Sequence, residues 1–193
     1  MTTGNRTSFL TLPANLPRPS DDGACDHLPG RAIPSVALTV TDGTTLDLQD
    51  LTKRPTVLFF YPRSGRPDEP APEQWDEIPG ARGCTPQACG FRDDYALFQS
   101  RGIAVFGVST QTTAYQQEFA TRMQLTYRLL SDASFELTDA LRLPTFDYRG
   151  ARLLKRMVWL CDRSTITHVF YPVFPPDQSA RAVLHWLDSP APK

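Results

Sequence analysis

The chain has 193 residues, of which 40% are hydrophobic and 21% charged, and its net charge is −1. That length suits one domain with a substantial core, and the balanced charge excludes the basic footprint of a nucleic-acid or anionic-membrane binder. No apolar run approaches the roughly 20 residues that span a bilayer. Phe9-Leu10 and Leu12 are too little for a signal-peptide core, so a cytoplasmic location is expected.

Residues 1–30 are rich in Pro, Asn, Asp and Gly without periodicity, which predicts a loosely held leader with Cys25 exposed in it. One domain is expected over 31–193. Ser35–Thr41 and Thr44–Leu48 flank Asp42-Gly43 as a β-hairpin. Thr56–Tyr61 is a continuous run of β-formers, the mark of a central strand buried on both faces. A loop follows from Pro62 to Arg82, where Pro62, Pro67, Pro70, Pro72 and Pro79 disfavour both helix and central strand. A loop of this length in a compact domain is usually functional or disordered.

From Cys84 the period changes to that of a helix. Cys84, Ala88, Phe91, Tyr95 and Phe98 form one stripe, and Pro86 is tolerated because it falls in the first turn. Ile103–Val108 is predicted as a strand, Thr112–Met123 as a helix, Tyr127–Leu130 as a strand and Phe135–Leu141 as a short helix. Met157–Cys161 and Ile166–Phe170 pair around Asp162-Arg163-Ser164, and Ser179–Leu187 closes the chain as a helix. This alternation describes an α/β domain of three layers, with a central mixed sheet flanked by helices.

The chemistry concentrates in Gly83-Cys84-Thr85-Pro86-Gln87-Ala88-Cys89-Gly90. A sulfur at a helix start faces unpaired N–H groups and the positive helix end, both of which favour thiolate over thiol. Were Cys84 and Cys89 to stay in one helix, their Cα atoms would lie about 8.6 Å apart. A disulfide needs roughly 4.4–6.8 Å, so bonding would require this segment to unwind, eased by Gly90 and Pro86. Spacing alone also leaves open two unrelated core cysteines. A zinc site is disfavoured, since Cys-x4-Cys is not a usual spacing and no second ligand pair follows; the Cys-x-x-Cys of a thioredoxin-type centre is absent too. Of the four cysteines, Cys161 lies in an apolar run and reads as a core thiol. His168 and His185 read as packed or surface histidines, and no cofactor or metal is expected.

The segments Val57–Pro62 and Gly83–Asp93 together resemble the peroxiredoxins, most of all the Q-type, or bacterioferritin comigratory protein, subgroup. Val105–Thr110, Leu129–Asp132 and Ile166–Phe170 extend the resemblance to about Gly30–Leu187. It implies a thioredoxin-like fold and a thiol-dependent peroxidase acting on hydrogen peroxide or small organic hydroperoxides. In that scheme Cys84 is the peroxidatic cysteine and Cys89 the resolving one. Arg156 matches the family arginine that holds the thiolate and polarises the peroxide, and Arg82 is a rival donor whose plain reading is a solvated loop charge. The disulfide would be recycled by thioredoxin or a similar dithiol, in a monomer or weak homodimer. A thiol–disulfide oxidoreductase and a non-catalytic redox sensor are the alternative readings. One departure stands out. The family motif Pro-x-x-x-Thr/Ser-x-x-Cys has Ala81 at its hydroxyl position, and about sixteen residues, Arg63–Ile78, are inserted after Pro62, leaving Thr85 and Ser64 as hydroxyls to consider.

Overall fold

The computed structural model describes residues 9–69 and 72–189. Its strands are β1 (Ala37–Val40), β2 (Thr45–Asp47), β3 (Thr56–Phe60), β4 (Ala104–Ser109), β5 (Arg128–Ser131), β6 (Thr145–Tyr148), β7 (Ala151–Leu154), β8 (Met157–Asp162) and β9 (Thr165–Phe170). Its helices are α1 (Leu48–Leu51), α2 (Cys84–Asp93), α3 (Tyr95–Gln99), α4 (Thr113–Arg122), α5 (Glu136–Ala140) and α6 (Ser179–Asp188). Seven strands form the main sheet in the order β2-β1-β5-β4-β3-β8-β9. The β3–β4 and β4–β5 pairs are parallel, while β1–β5, β3–β8 and β8–β9 are antiparallel. The sheet is mixed and covered on both faces, as the alternation of strands and helices predicts.

Alternate side chains of the central strand build two cores. Val57, Phe59 and Tyr61 face the layer of α2, α3, α4 and α6, with Ala88, Phe91, Phe98, Phe119 and Val183. Leu58 and Phe60 face the other way, toward Leu48, Leu137, Leu28 and Trp159. Burial on both faces is why β3 reads as an uninterrupted apolar run. The stripe expected of one helix from Cys84 to Phe98 is divided at Asp94, which ends α2 and begins α3. Asp94 is itself buried and takes an ion pair from Arg181 on α6, yet the stripe residues still face one core.

Three expectations need correcting. Residues 9–30 are not a loose leader where they are described: Leu28 is fully buried, and Asp22 pairs with Lys155 at 2.6 Å and accepts from the Tyr171 hydroxyl at 2.7 Å. Cys25 is buried, with its sulfur 3.8 Å from Met157 Sδ, because the Ala32–Thr165 bridge brings this stretch against the sheet. Arg82 is also buried, paired with Asp76 at 3.3 Å. Residues 1–8 lie outside the described residues.

The hairpin β6–β7 was not foreseen. Its turn places Arg149 and Gly150 at positive φ, the backbone of a tight primed turn. It anchors the Pro-rich loop. Trp75, in a 3-10 turn over Trp75–Glu77, meets Tyr148 edge-on at 5.0 Å and packs with Ala81 and Leu153, while the Tyr148 hydroxyl donates to the Glu73 carbonyl at 2.8 Å.

Candidate active site

Cys84 is the first residue of α2, as its position after a Gly/Pro-rich stretch predicts. The preceding Gly83 sits at φ +105, where a β-carbon would meet Pro176 Cγ at 2.2 Å. Only glycine fits there. Because Gly83 offers no side-chain cap, the first-turn N–H groups of α2 stay available to charge near the sulfur.

Arg156 comes from the short link between β7 and β8 and is buried beneath the same turn. Its Nη2 donates to Cys84 Sγ at 3.2 Å, to the Ala81 carbonyl at 3.1 Å and to the Arg82 carbonyl at 3.2 Å. Nε donates to the Gly80 carbonyl at 3.3 Å, and Nη1 donates to Gln87 Oε1. The guanidinium therefore ties the loop 80–82, the sulfur and the second turn of α2 into one unit. A permanent cation at hydrogen-bond distance and the helix N-terminus both stabilise negative charge on Cys84. The rival Arg82 is held by Asp76 and donates to the Thr11 carbonyl at 3.5 Å.

Cys84 is nearly buried, but it lines a small cavity of about 30 Å³ shared with Phe9, Arg63, Trp75, Arg82 and Thr85. A larger cavity of about 280 Å³ opens on the other side of Arg156, between Asp22, Pro79 and Phe146. Cys84 is not part of its wall. Ala81 puts its carbonyl and not a hydroxyl toward the sulfur, at 3.7 Å. Of the two hydroxyls considered in its place, Thr85 lines the smaller cavity, whereas Ser64 is turned to Gln111 Oε1 at 3.1 Å. Tyr61 is buried nearby; burial pushes its phenol up, and negative charge on Cys84 pushes it the same way, so it stays neutral.

Cys89 lies in the same helix and is half-buried. Burial raises its thiol, with Arg92 and Arg122 opposing and Asp93 adding. Both sulfurs are free, as the spacing within one continuous helix requires. Cys25 and Cys161 lack a comparable setting. Burial, reinforced by Asp22, pushes the Cys25 thiol up to about 12, and burial alone pushes Cys161 up. Of the two histidines considered, His168 stacks on Trp186 at 4.5 Å, and His185 is exposed on α6.

Comparison with known proteins agrees with this geometry. Residues 28–184 match the redoxin family. Over 156 residues the chain is 32% identical to peroxiredoxin bcp1 of Schizosaccharomyces pombe, covering 79% of this chain and 71% of that protein. The chain is a peroxiredoxin of the redoxin family. Chloroplastic peroxiredoxin Q of Populus jackii is 32% identical over 161 residues, covering 83% of this chain and 68% of that one. The crystal structure of peroxidoxin BcpB from Mycobacterium tuberculosis superposes with a TM-score of 0.65 at 27% identity, covering 84% of this chain and 99% of that one. The fold is thioredoxin-like, and peroxiredoxins are thiol-dependent peroxidases. Among the described residues no helix is long and apolar enough to cross a membrane.

Proposed function

We propose that Cys84 is the nucleophile of this peroxiredoxin, Cys89 its resolving partner and Arg156 the cation that serves both the sulfur and the peroxide. The 3.2 Å contact from Arg156 to Cys84 Sγ at the mouth of α2 carries this reading. In the first step the Cys84 thiolate attacks one peroxide oxygen. An S–O bond forms, the O–O bond breaks, and the departing oxygen takes the electron pair and a proton to leave as water or an alcohol. Cys84 becomes a sulfenic acid. Thr85 is the hydroxyl in reach of the bound peroxide, in place of the side chain that Ala81 lacks.

The sulfur of Cys89 then attacks that of Cys84. An S–S bond forms, the S–O bond breaks, and the hydroxyl leaves as water with one proton. A dithiol of the thioredoxin type returns two electrons by exchange and ends as its own disulfide. Fresh helix in α2 cannot host the bond, so Cys84–Cys89 unwinds in each cycle.

The test counts thiols in the reduced chain before and after one equivalent of hydrogen peroxide. Loss of two thiols, mapped to an internal Cys84–Cys89 disulfide, is expected; retention of both thiols rejects the reading. The Cys89→Ser chain should turn over once and hold a sulfenic acid at Cys84 that dimedone traps.

A further inference from the structure

We propose that the strap Phe9–Leu12 is a specificity element, admitting hydrogen peroxide to Cys84 and holding out hydroperoxides with bulky organic groups. The proposal deepens the peroxidase reading and rests on it. It begins from the size of the space at the sulfur. The cavity is narrow, about 30 Å³ against about 280 Å³ for its neighbour. Hydrogen peroxide brings two heavy atoms into that space. A cumyl or tert-butyl hydroperoxide brings a bulky carbon group as well, which must press on the walls.

Two of the cavity's walls differ in how they can yield. One is the Pro-rich loop with Trp75, which Tyr148 and Phe146 hold at ring distances of 5.0 and 6.1 Å. That wall is braced by a hairpin. The other is the strap, whose Phe9 lines the cavity and which lies outside the residues matched to the redoxin family, since that match begins at residue 28. Phe9 is only half-buried, and its ring lies against the backbone of Gly65, where an added β-carbon would stand 2.7 Å from the ring Cε1. Leu12 is seated in the same manner on Gly83, 3.0 Å from the position of a β-carbon there. The Arg82 guanidinium lies 5.8 Å over the Phe9 ring and donates to the Thr11 carbonyl. The strap therefore rests on two glycines that leave room for it and on one buried arginine, next to the reacting sulfur. A bulky hydroperoxide must lift the Phe9 ring to bring its O–O bond to Cys84, while hydrogen peroxide need not.

The experiment compares kcat/KM for hydrogen peroxide and for cumene hydroperoxide in the full chain, with a dithiol reductant in excess. The wild type should favour hydrogen peroxide by at least about tenfold, the scale on which one misfitted group in a pocket discriminates. Phe9→Ala removes the ring. Gly65→Ala displaces it from the opposite side, and the displaced atoms are the end of a rotatable side chain. Each should raise the cumene-to-hydrogen-peroxide ratio by about tenfold, and Phe9→Trp should lower it. Gly65→Ala carries the test should Phe9→Ala fail to fold. An unchanged ratio in the folded variants overturns the strap and leaves the peroxidase reading standing. A wild-type chain that consumes neither hydroperoxide overturns both.

Discussion

Arg156→Lys keeps the charge and removes the fork, which makes it the sharpest probe of the site. In the wild type one guanidinium serves five acceptors: the carbonyls of Gly80, Ala81 and Arg82, the Cys84 sulfur and Gln87 Oε1. An ammonium has three donors on one atom and cannot reach both the carbonyl side and the Gln87 side. At least two buried acceptors lose their partner, at about 1–3 kcal/mol each when left unsatisfied. Stability should fall by about 2–6 kcal/mol, read as a shift of the urea midpoint at unchanged slope. The bond to the sulfur is charge-assisted and worth about 1.5–3 kcal/mol, so losing its geometry should slow peroxide attack roughly 10- to 150-fold. Stopped-flow oxidation of the folded variant measures this, with circular dichroism confirming the fold. Iodoacetamide alkylation of Cys84 separates the causes. Slowing of both reactions in parallel places the loss in the charge on sulfur, and slowing of peroxide alone places it in O–O polarisation. A folded Arg156→Lys chain that reacts with peroxide at the wild-type rate would refute the assignment of Arg156.

Two further outcomes follow from single contacts. The Tyr127 hydroxyl donates to the Ala88 carbonyl at 2.7 Å and so pins the segment that the proposed cycle unwinds. Tyr127→Phe should cost about 1 kcal/mol of stability and speed disulfide formation after Cys84 oxidation up to about fivefold; an unchanged or slower disulfide step would show that this bond survives the opening. Asp22 is lowered from 3.8 to about 2 by hydrogen bonds from Lys155 and then Tyr171. Its folded value lies below its unfolded one, so its stabilisation is present above pH ~4 and fades as pH falls toward 2. The side chain is 44% exposed, so after allowance for solvent screening the effect is about 1 kcal/mol. The difference in unfolding free energy between wild type and Asp22→Asn should therefore shrink between pH 5 and 2, and a constant difference would contradict the clamp.

The sheet and α2 were legible because each carries its pattern within a few residues. Thr56–Tyr61 is buried on both faces and reads as a strand, and the period from Cys84 to Phe98 survives the break at Asp94 because both helices face one core. The two sulfurs were legible for the same local reason. Arg156 was not, since Lys155-Arg156 looks like any charged pair at a strand end; only the family resemblance singled it out, and only the course of β8 decides that Arg156 is buried while Lys155 turns outward to Asp22. Cys25 misled because its neighbours are Pro, Asp and Gly, whereas its burial comes from Met157, 132 positions away. Arg82 misled likewise, its partner Asp76 belonging to a loop that has no pattern of its own. The hairpin β6–β7 had a signal, Arg149-Gly150 between alternating residues, but Arg is an uncommon first residue for such a turn.

On the proposed cycle the site is closed for one step and open for the next, and its contacts offer a way for the chemistry itself to drive the change. In the reduced state the first turns of α2 are pinned by Arg156 on Gln87, by Tyr127 on Ala88, by Pro176 against Gly83 and by Phe91 stacked on Phe59 at 4.6 Å. Of these, only the Arg156 cluster depends on the charge of Cys84. On the proposed cycle, oxidation converts an anion into a neutral sulfenic acid and adds an oxygen inside a cavity of about 30 Å³. The charge-assisted bond to Arg156 is lost. Removing a bond worth about 1.5–3 kcal/mol raises the population of the unwound turn by roughly 10- to 150-fold. Peroxide thus loosens the segment that Cys89 needs open, while the unoxidised enzyme keeps its nucleophile folded beside its cation.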